Sequence, residues 1–489
     1  MKITDLRPVK SAHQYFVPIG NKNMGKKSPS EGKKYHFIGI GGVGTSALAA
    51  VLMKEKAIVS GSDMQESVLT DRLSVDGAAV KIGHTATNLP KEVDGVVISA
   101  AVKDDNPELL EARRRKIMVY KYAQMLGLVM DRYKGVAISG THGKSTTTGW
   151  LVYVLKKLGI EPNFVVGADI TQLGSSSGIG SSEIFVAEAC EYDRSFLNLR
   201  PQVGVILNIE PDHLDYYSDI NEIVSAFGDF ANGIRTDGVL IAGGEDKNIA
   251  RLLPALRDRR ILTFGLKDSF DYSAAQIAQF PDRTEFTCLI RGREVGRAVL
   301  NLPGEHNVRN ALAVIAAADS LGLDIGAVLD VMGGFEGMDR RLMKKAEING
   351  VTIYDDYAHH PTEIKASLAA MRQKYDGRKI FCVFQPHQYS RTRFLLKDFA
   401  ESFKLADITI VPDIYFVRDT EKARNEVNSE MLVNAIKQKG SEAVFIDSFE
   451  KICEFLKNNV KSGDILMTMG AGNVWKVADE YIQWLRKNN

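Results

Sequence analysis

The sequence predicts an α/β protein of three domains built on largely parallel sheets. Short Val/Ile-rich runs alternate with amphipathic stretches of roughly ten to eighteen residues, the pattern of strands joined by crossover helices. A strand running into a glycine loop and then a helix recurs three times along the chain. The length, 489 residues, fills roughly three cores at about 150 residues each.

Residues 1–33 carry scattered Lys without an apolar h-region, so they read as a polar N-terminal arm rather than a signal peptide. The first strand, Tyr35 to Ile40, leads into Gly41, Gly42 and Gly44 and a helix to Lys54. The apolar stretch from Ile38 to Met53 is too short and too glycine-rich to span a membrane. A helix over Ala123 to Arg132 closes the first domain near Lys134. The second strand, Gly135 to Ser139, leads into Gly140 and Gly143 and a helix over Lys144 to Leu158. The run GGFEGMD sets the next boundary near Met338. The third strand, Asp464 to Met469, leads into Gly470 and Gly472 and a helix to Arg486. The domains expected are therefore 34–134, 135–338 and 339–489.

Charge and cysteine usage narrow the partners. With 62 Lys+Arg against 61 Asp+Glu the net charge is +1, which leaves no global footprint for nucleic acid or an anionic membrane. Cys190, Cys288, Cys382 and Cys453 stand far apart, without zinc-finger spacing, which points to a reduced, cytoplasmic setting.

Gly39, Gly41 and Gly44 form GxGxxG between a strand and a helix, where absent side chains let a diphosphate approach the positive helix end. Asp63 follows the expected strand Ala57 to Ser60, in place to bond a ribose hydroxyl. A bound nucleotide, an NAD site and a plain tight turn all fit this pattern. The second loop, GTHGKSTTT from Gly140 to Thr148, combines three chemistries. Gly140 and Gly143 free backbone N–H groups for phosphate, Lys144 reaches the β/γ-phosphates, and Ser145 offers Mg²⁺ a hydroxyl. It is shorter than the usual GxxxxGK[ST], yet it reads as an ATP site.

Metal ligands are expected at the ends of neighbouring strands. The run Glu183 to Ala187 leads to Glu188, assigned to one Mg²⁺, and Val203 to Leu207 leads to His213, assigned to a second. Glu188 could equally act through water or as a helix cap, and His213 could cap the helix starting near Asn221.

The motifs HFIGIGGVG, SGSD, DNPEL, GTHGKSTTT, VAEACEYDRSFL, NIEPDHLD, GEHNVRNALA, DDYAHHPTE, FQPHQYSRT and GAGN occur in this order across nearly the whole chain after residue 33. The set resembles the Mur ligases of bacterial cell-wall synthesis. The resemblance implies a Rossmann-like N-terminal domain for a UDP-sugar, a central P-loop ATPase-type domain, and a Rossmann-like C-terminal domain for an amino acid. It also implies the chemistry, ATP-dependent ligation of L-alanine to the lactyl carboxylate of UDP-N-acetylmuramate through an acyl phosphate.

By that match Lys144, Glu188, His213, Arg341 and Asp356 are catalytic, with Ser145, Glu188 and His213 on Mg²⁺. Gly140, Thr141, His142, Gly143, Lys144, Ser145, Thr146, Asn307, Asn310 and Arg341 hold ATP, and Gly39, Gly41, Gly42, Gly44, Asp63, His84 and Ser99 hold the UDP-sugar. His359 and Arg391 receive the amino acid, and either His359 or His360 could take the amine proton. Read without the resemblance, Asn307 and Asn310 are polar helix residues sharing a face, Arg340 and Arg341 an exposed linker pair, and Arg391 a solvated helix start. Cys190 stands where the family commonly has an acid, and Gln388 where many members have Arg. The alternatives are a sister ligase adding another amino acid or a peptide, an NAD-dependent oxidoreductase, and a P-loop module that only hydrolyses ATP.

Overall fold

The computed structural model describes residues 30–417, 419 and 421–488. Of the polar arm, residues 1–29 lie outside them; residues 30–33 make a turn in which Gly32 N–H donates to the Lys56 carbonyl at 3.0 Å.

Three sheets organise the chain. The first holds β1 (Lys34–Ile38), β2 (Ile58–Asp63), β3 (Ala79–Ile82), β4 (Gly95–Ile98) and β5 (Val119–Lys121), all parallel in the order β3-β2-β1-β4-β5. The order reverses at β1, so the glycine loop after β1 opens into the crevice where such sheets take ligands. Asp63 ends β2 rather than following it, because the ladder to β3 pairs Asp63 with Ile82. The helix ending this region runs Tyr122–Met130, one residue earlier at its start and two shorter at its end than its apolar pattern suggests.

The second sheet holds β6 (Lys134–Ser139), β7 (Asn163–Ile170), β8 (Ser175–Gly178), β9 (Ile184–Glu188), β10 (Val203–Ile206), β11 (Val239–Gly243), β12 (Ile261–Gly265), β13 (Tyr272–Gln279), β14 (Thr284–Ile290) and β15 (Arg293–Leu300). Their order is β15-β14-β13-β12-β11-β10-β6-β9-β7-β8, parallel from β13 through β7 with antiparallel strands at both edges. β6 lies between β10 and β9, so the loops after all three strands meet at one end. Helix Lys144–Lys157 is buried from Thr147 through Leu155, and helix Glu305–Ser320 from Asn310 through Ala318. Both pack in one core, where the buried Trp150 Nε1 donates to the Met332 carbonyl at 2.9 Å. On the opposite face a shared core joins Phe37 and Leu48 of the first region to Phe185 and Phe227 of the second.

The third sheet holds β16 (Met343–Ile348), β17 (Val351–Asp356), β18 (Ile380–Phe384), β19 (Ile408–Val411), β20 (Ala443–Phe445) and β21 (Ile465–Met469). Its order is β16-β17-β21-β18-β19-β20, with only β16 antiparallel. Pro361 opens the helix Pro361–Lys374, and the His360 side chain caps it by accepting from Thr362 N–H. β17 ends at Asp356, so that carboxyl is fixed at the strand end that faces the second sheet's loops.

Candidate active site

The first glycine loop is closed on itself. Asp63 Oδ2 accepts from Gly41 N–H at 2.8 Å, and Thr45 Oγ1 donates to the Gly39 carbonyl at 2.6 Å. Gly39 has φ +77°, and a Cβ there would stand 2.6 Å from Ser99 Oγ. A Cβ on Gly44 would meet the Tyr122 ring at 2.8 Å, so that glycine serves helix packing rather than phosphate approach. Gly42 lies at the helix start, where its backbone extends the turn. Beneath the loop the fully buried Glu108 accepts from His36 Nε2 at 2.7 Å, Ser62 Oγ at 2.8 Å and Asn88 Nδ2 at 3.1 Å, with His84 Nδ1 at 3.1 Å. Burial pushes the Glu108 carboxyl up, and these donors pull it further down, so it stays ionised. No spacing in the sequence marks His36, whereas the Asn106–Pro107 helix start is a local signal that fixes Glu108 in the first turn.

The second loop is braced from outside. Asn208 Oδ1 accepts from His142 N–H at 2.8 Å, and its Nδ2 donates to the His142 carbonyl at 3.1 Å. Gly143 has φ +80°, and a Cβ there would stand 2.8 Å from Asn310 Oδ1. Asn310 Nδ2 donates to Asn307 Oδ1 at 3.2 Å, so the two asparagines form a buried pair beside the loop rather than a solvated face. Lys144 Nζ donates to the Gly140 and Thr141 carbonyls at 2.5 and 3.0 Å and to Glu191 at 3.0 Å. Burial disfavours its charge, yet the Glu191 carboxylate beside it holds the ammonium well above its ordinary range. Thr141 accepts from Glu210 N–H at 2.8 Å, and Thr146 lines the cavity above the loop.

The expected metal set divides. Ser145 Oγ donates to Glu188 Oε2 at 2.8 Å, and Gly167 N–H donates to the same oxygen at 2.9 Å, so Glu188 is not a helix cap. His213 instead lies beside Glu191, 3.7 Å from its Oε1. Nor does His213 cap the next helix, since Asp219 accepts from Asn221 and Glu222 N–H there. Cys190 lies between Glu188 and Glu191, where desolvation and the Glu191 charge push its thiol up to about 12.

The third sheet contributes the facing wall. A cavity of about 830 Å³ is lined by His142, Ser145 and Asn307 on one side and Arg341, Asp356 and Glu363 on the other. Arg341 Nη1 lies 3.4 Å from Glu363 Oε1, and its guanidinium sits 5.1 Å from the Tyr357 ring centre. Arg340 is not an exposed linker residue: it donates to Asp355 at 3.0 Å and to the Gly470 carbonyl at 3.0 Å, holding the boundary segment to its own sheet. Burial raises the Asp356 carboxyl to about 6, opposed by hydrogen bonding from Ser367. His359 Nδ1 donates to the Tyr357 carbonyl at 3.0 Å, and burial lowers both His359 and His360 to about 4.

Arg391 differs from its expectation as a solvated residue. It is buried and donates through Nε and Nη2 to Asp212 Oδ1 at 3.0 and 2.7 Å, with Nη1 3.2 Å from His387 Nδ1. Its guanidinium is therefore committed across the seam between the second and third sheets. Gln388 just before it has φ +70° and lies buried. Asp212 and Glu363 had no role in the sequence reading, and no local spacing marks them.

A P-loop lysine on a central sheet, facing acids and an arginine from a third domain, defines an ATP-dependent amide-bond-forming ligase. Three family descriptions match the chain in order: Mur ligase family, catalytic domain over residues 34–134, Mur ligase middle domain over 138–318, and Mur ligase, glutamate ligase domain over 340–472. A UDP-N-acetylmuramate–L-alanine ligase of Clostridium novyi is 43% identical over 92% of this chain and 97% of its own, and one from Alkaliphilus metalliredigens is 44% identical over 91% and 96%. The crystal structure of the UDP-N-acetylmuramate-alanine ligase from Thermotoga maritima superposes with a TM-score of 0.77 at 28% identity, covering 93% of this chain and all of that one. The chain belongs to the Mur ligase family. Family membership sets aside the oxidoreductase alternative for the first loop.

Proposed function

We propose that this chain joins L-alanine to the lactyl carboxylate of UDP-N-acetylmuramate with ATP as the energy source, a step in peptidoglycan precursor synthesis. The observation that carries the reading is Lys144, clamped by loop carbonyls and Glu191 at the foot of a cavity whose far wall is Arg341 and Asp356. Relatives named for this reaction, at 43% identity over almost their whole length, support the substrate pair.

We assign residues 34–134 to the UDP-sugar, 135–338 to ATP and 339–489 to the amino acid. Gly39, Gly41, Gly42, Asp63, His84 and Ser99 would receive the sugar nucleotide, with Gly44 seating the helix behind them against Tyr122. Thr141, His142, Gly143 and Thr146 would cradle phosphates, with Asn307 and Asn310 toward the base. A carboxylate is a poor electrophile toward an amine, so the lactyl oxygen first attacks the γ-phosphorus and releases ADP. The amine nitrogen then adds to the acyl carbon, and inorganic phosphate leaves. Lys144 and Arg341 neutralise the transferring phosphoryl group, and enclosure between two domains keeps water off the acyl phosphate.

Mg²⁺ fits this donor set: Ser145 and Glu188 offer hard oxygens side by side, and His213 with Glu191 makes a second place. When bound, Mg²⁺ supplies charge neutralisation to the phosphates. His359 and Arg391 border the place for L-alanine, and the amino acid's carboxylate would compete with Asp212 for Arg391. Four free thiols support a cytoplasmic setting, and among the described residues no helix is long and apolar enough to cross a membrane. The deciding experiment measures phosphate release with ATP, Mg²⁺, UDP-N-acetylmuramate and each candidate amino acid. Turnover with L-alanine well above glycine, serine and a tripeptide is expected; equal turnover with any of these overturns the substrate assignment.

A further inference from the structure

Three side chains that the ligation chemistry leaves without a joint task converge at the seam between the second and third sheets. His142 comes from the P-loop, Glu210 from the segment after β10, and His360 from the start of the helix Pro361–Lys374. One ligating atom from each falls within 4.8 Å of the others. Glu210 Oε2 lies 3.5 Å from His142 Nε2 and 3.8 Å from His360 Nδ1, and the two imidazole centres are 4.5 Å apart.

The outward-facing nitrogens are already provided for. His360 Nε2 donates to the Pro211 carbonyl at 3.2 Å, and Nδ1, which faces Glu210, accepts from Thr362 N–H at 3.3 Å, a long bond that a cation would have to displace. His142 Nδ1 lies 3.4 Å from Glu363 Oε1, a carboxylate behind the imidazole. Thr362 Oγ1 donates to Glu210 Oε2 at 2.5 Å and steadies the carboxylate. Backing of this kind orients histidine and carboxylate ligands at metal centres. His142 Nε2 is buried and points into the cluster, with the Glu210 carboxylate as its charged neighbour at 3.5 Å and no hydrogen bond of good geometry.

We propose that His142, Glu210 and His360 bind one zinc-class divalent cation across the seam, pinning the P-loop to the third domain. Two imidazoles and one carboxylate suit Zn²⁺ better than Mg²⁺, which selects oxygen donors. Tetrahedral ligation at bond lengths of about 2.0–2.2 Å places ligand atoms roughly 3.3 Å apart, close to the 3.5 and 3.8 Å from Glu210 to the two imidazoles. The site shares no ligand with Ser145 and Glu188, and it joins domains whose mutual approach encloses the cavity.

The test uses the full-length, nucleotide-free protein stripped with a chelator, titrated with Zn²⁺ against a chromophoric competitor, and with Co²⁺ as a spectroscopic stand-in. One equivalent of Zn²⁺ should bind, and Co²⁺ should give the intense visible bands of four-coordination. Glu210→Gln and His360→Gln should each weaken uptake at least ~10-fold, and Glu363→Gln by about 10-fold through the ligand it backs. Ser145→Ala and Cys190→Ser should leave uptake unaltered, and circular dichroism melts would verify that each variant is folded. If Glu210→Gln does not fold, His360→Gln and Glu363→Gln carry the test. Uptake indifferent to these substitutions, uptake lost with Cys190→Ser, or only the weak bands of six-coordinate Co²⁺ overturns the proposal.

Discussion

The two glycine loops look alike in sequence and differ in what surrounds them. At Gly39–Gly44 the backbone N–H of Gly41 is taken by Asp63, and the groups beneath come from the same small region as the loop. At Gly140–Lys144 the loop is braced by Asn208, its lysine is held by Glu191, and the facing wall comes from another domain. Both sequences specify a tight turn ahead of a helix. The neighbours decide whether that turn is an internally satisfied platform or a charged seat that a second domain completes.

The sharpest way to break this comparison is Lys144→Ala. Phosphate release should fall by at least ~10³-fold, about 4 kcal/mol of transition-state stabilisation, while UDP-sugar affinity by calorimetry stays within about 2-fold. Loss of both would mean that the loops do not work as separate seats.

Next in size is Arg391→Ala, which strands the buried Asp212 carboxylate at the seam. A loss of about 3–5 kcal/mol in chemical denaturation is expected, with Arg391→Ala/Asp212→Ala recovering part of it. Equal loss in single and double variants would show that the pair is not what joins the domains.

A third test is pH dependence at the second loop. Burial opposes the charge on His142, but the Glu210 and Glu363 carboxylates at 3.5 and 3.4 Å raise it to about 9 from an ordinary 6.5. A raised histidine stabilises the fold fully below pH 6.5 and loses that contribution as pH rises through 9. In metal-free protein the stability gap between wild type and His142→Gln, about 3 kcal/mol at most, should therefore shrink between pH 6.5 and 10. A gap that grows over this range would contradict the arrangement.

The smallest effect is expected at the first loop. Asp63→Ala frees the Gly41 N–H and should raise KM for the UDP-sugar about 10-fold, roughly 1–2 kcal/mol, with KM for ATP unmoved. An equal rise in both would erase the distinction between the loops.

Much of this was legible locally. The three strand–glycine–helix units, the Pro361 helix start and the Lys144 loop are all written in residues close together in the chain. Arg391 shows the limit: three residues into a short helix, it looks solvated until Asp212, far away in sequence, is packed against it. His213 shows it again: its place after a strand suggested a second metal ligand, but only the folded chain sets it 3.7 Å from Glu191.

The sequence by itself determined the order of strands and helices, the loop shapes and the chemical types gathered after β6. Backbone sterics and side-chain periodicity act over only a few residues, so composition and spacing carry that information. Only the tertiary structure decided which charges meet: Lys144 with Glu191, Arg391 with Asp212, and His142 between Glu210 and Glu363. Such pairings depend on how separate sheets pack, and a coulombic contact a few ångströms long has no counterpart in sequence distance.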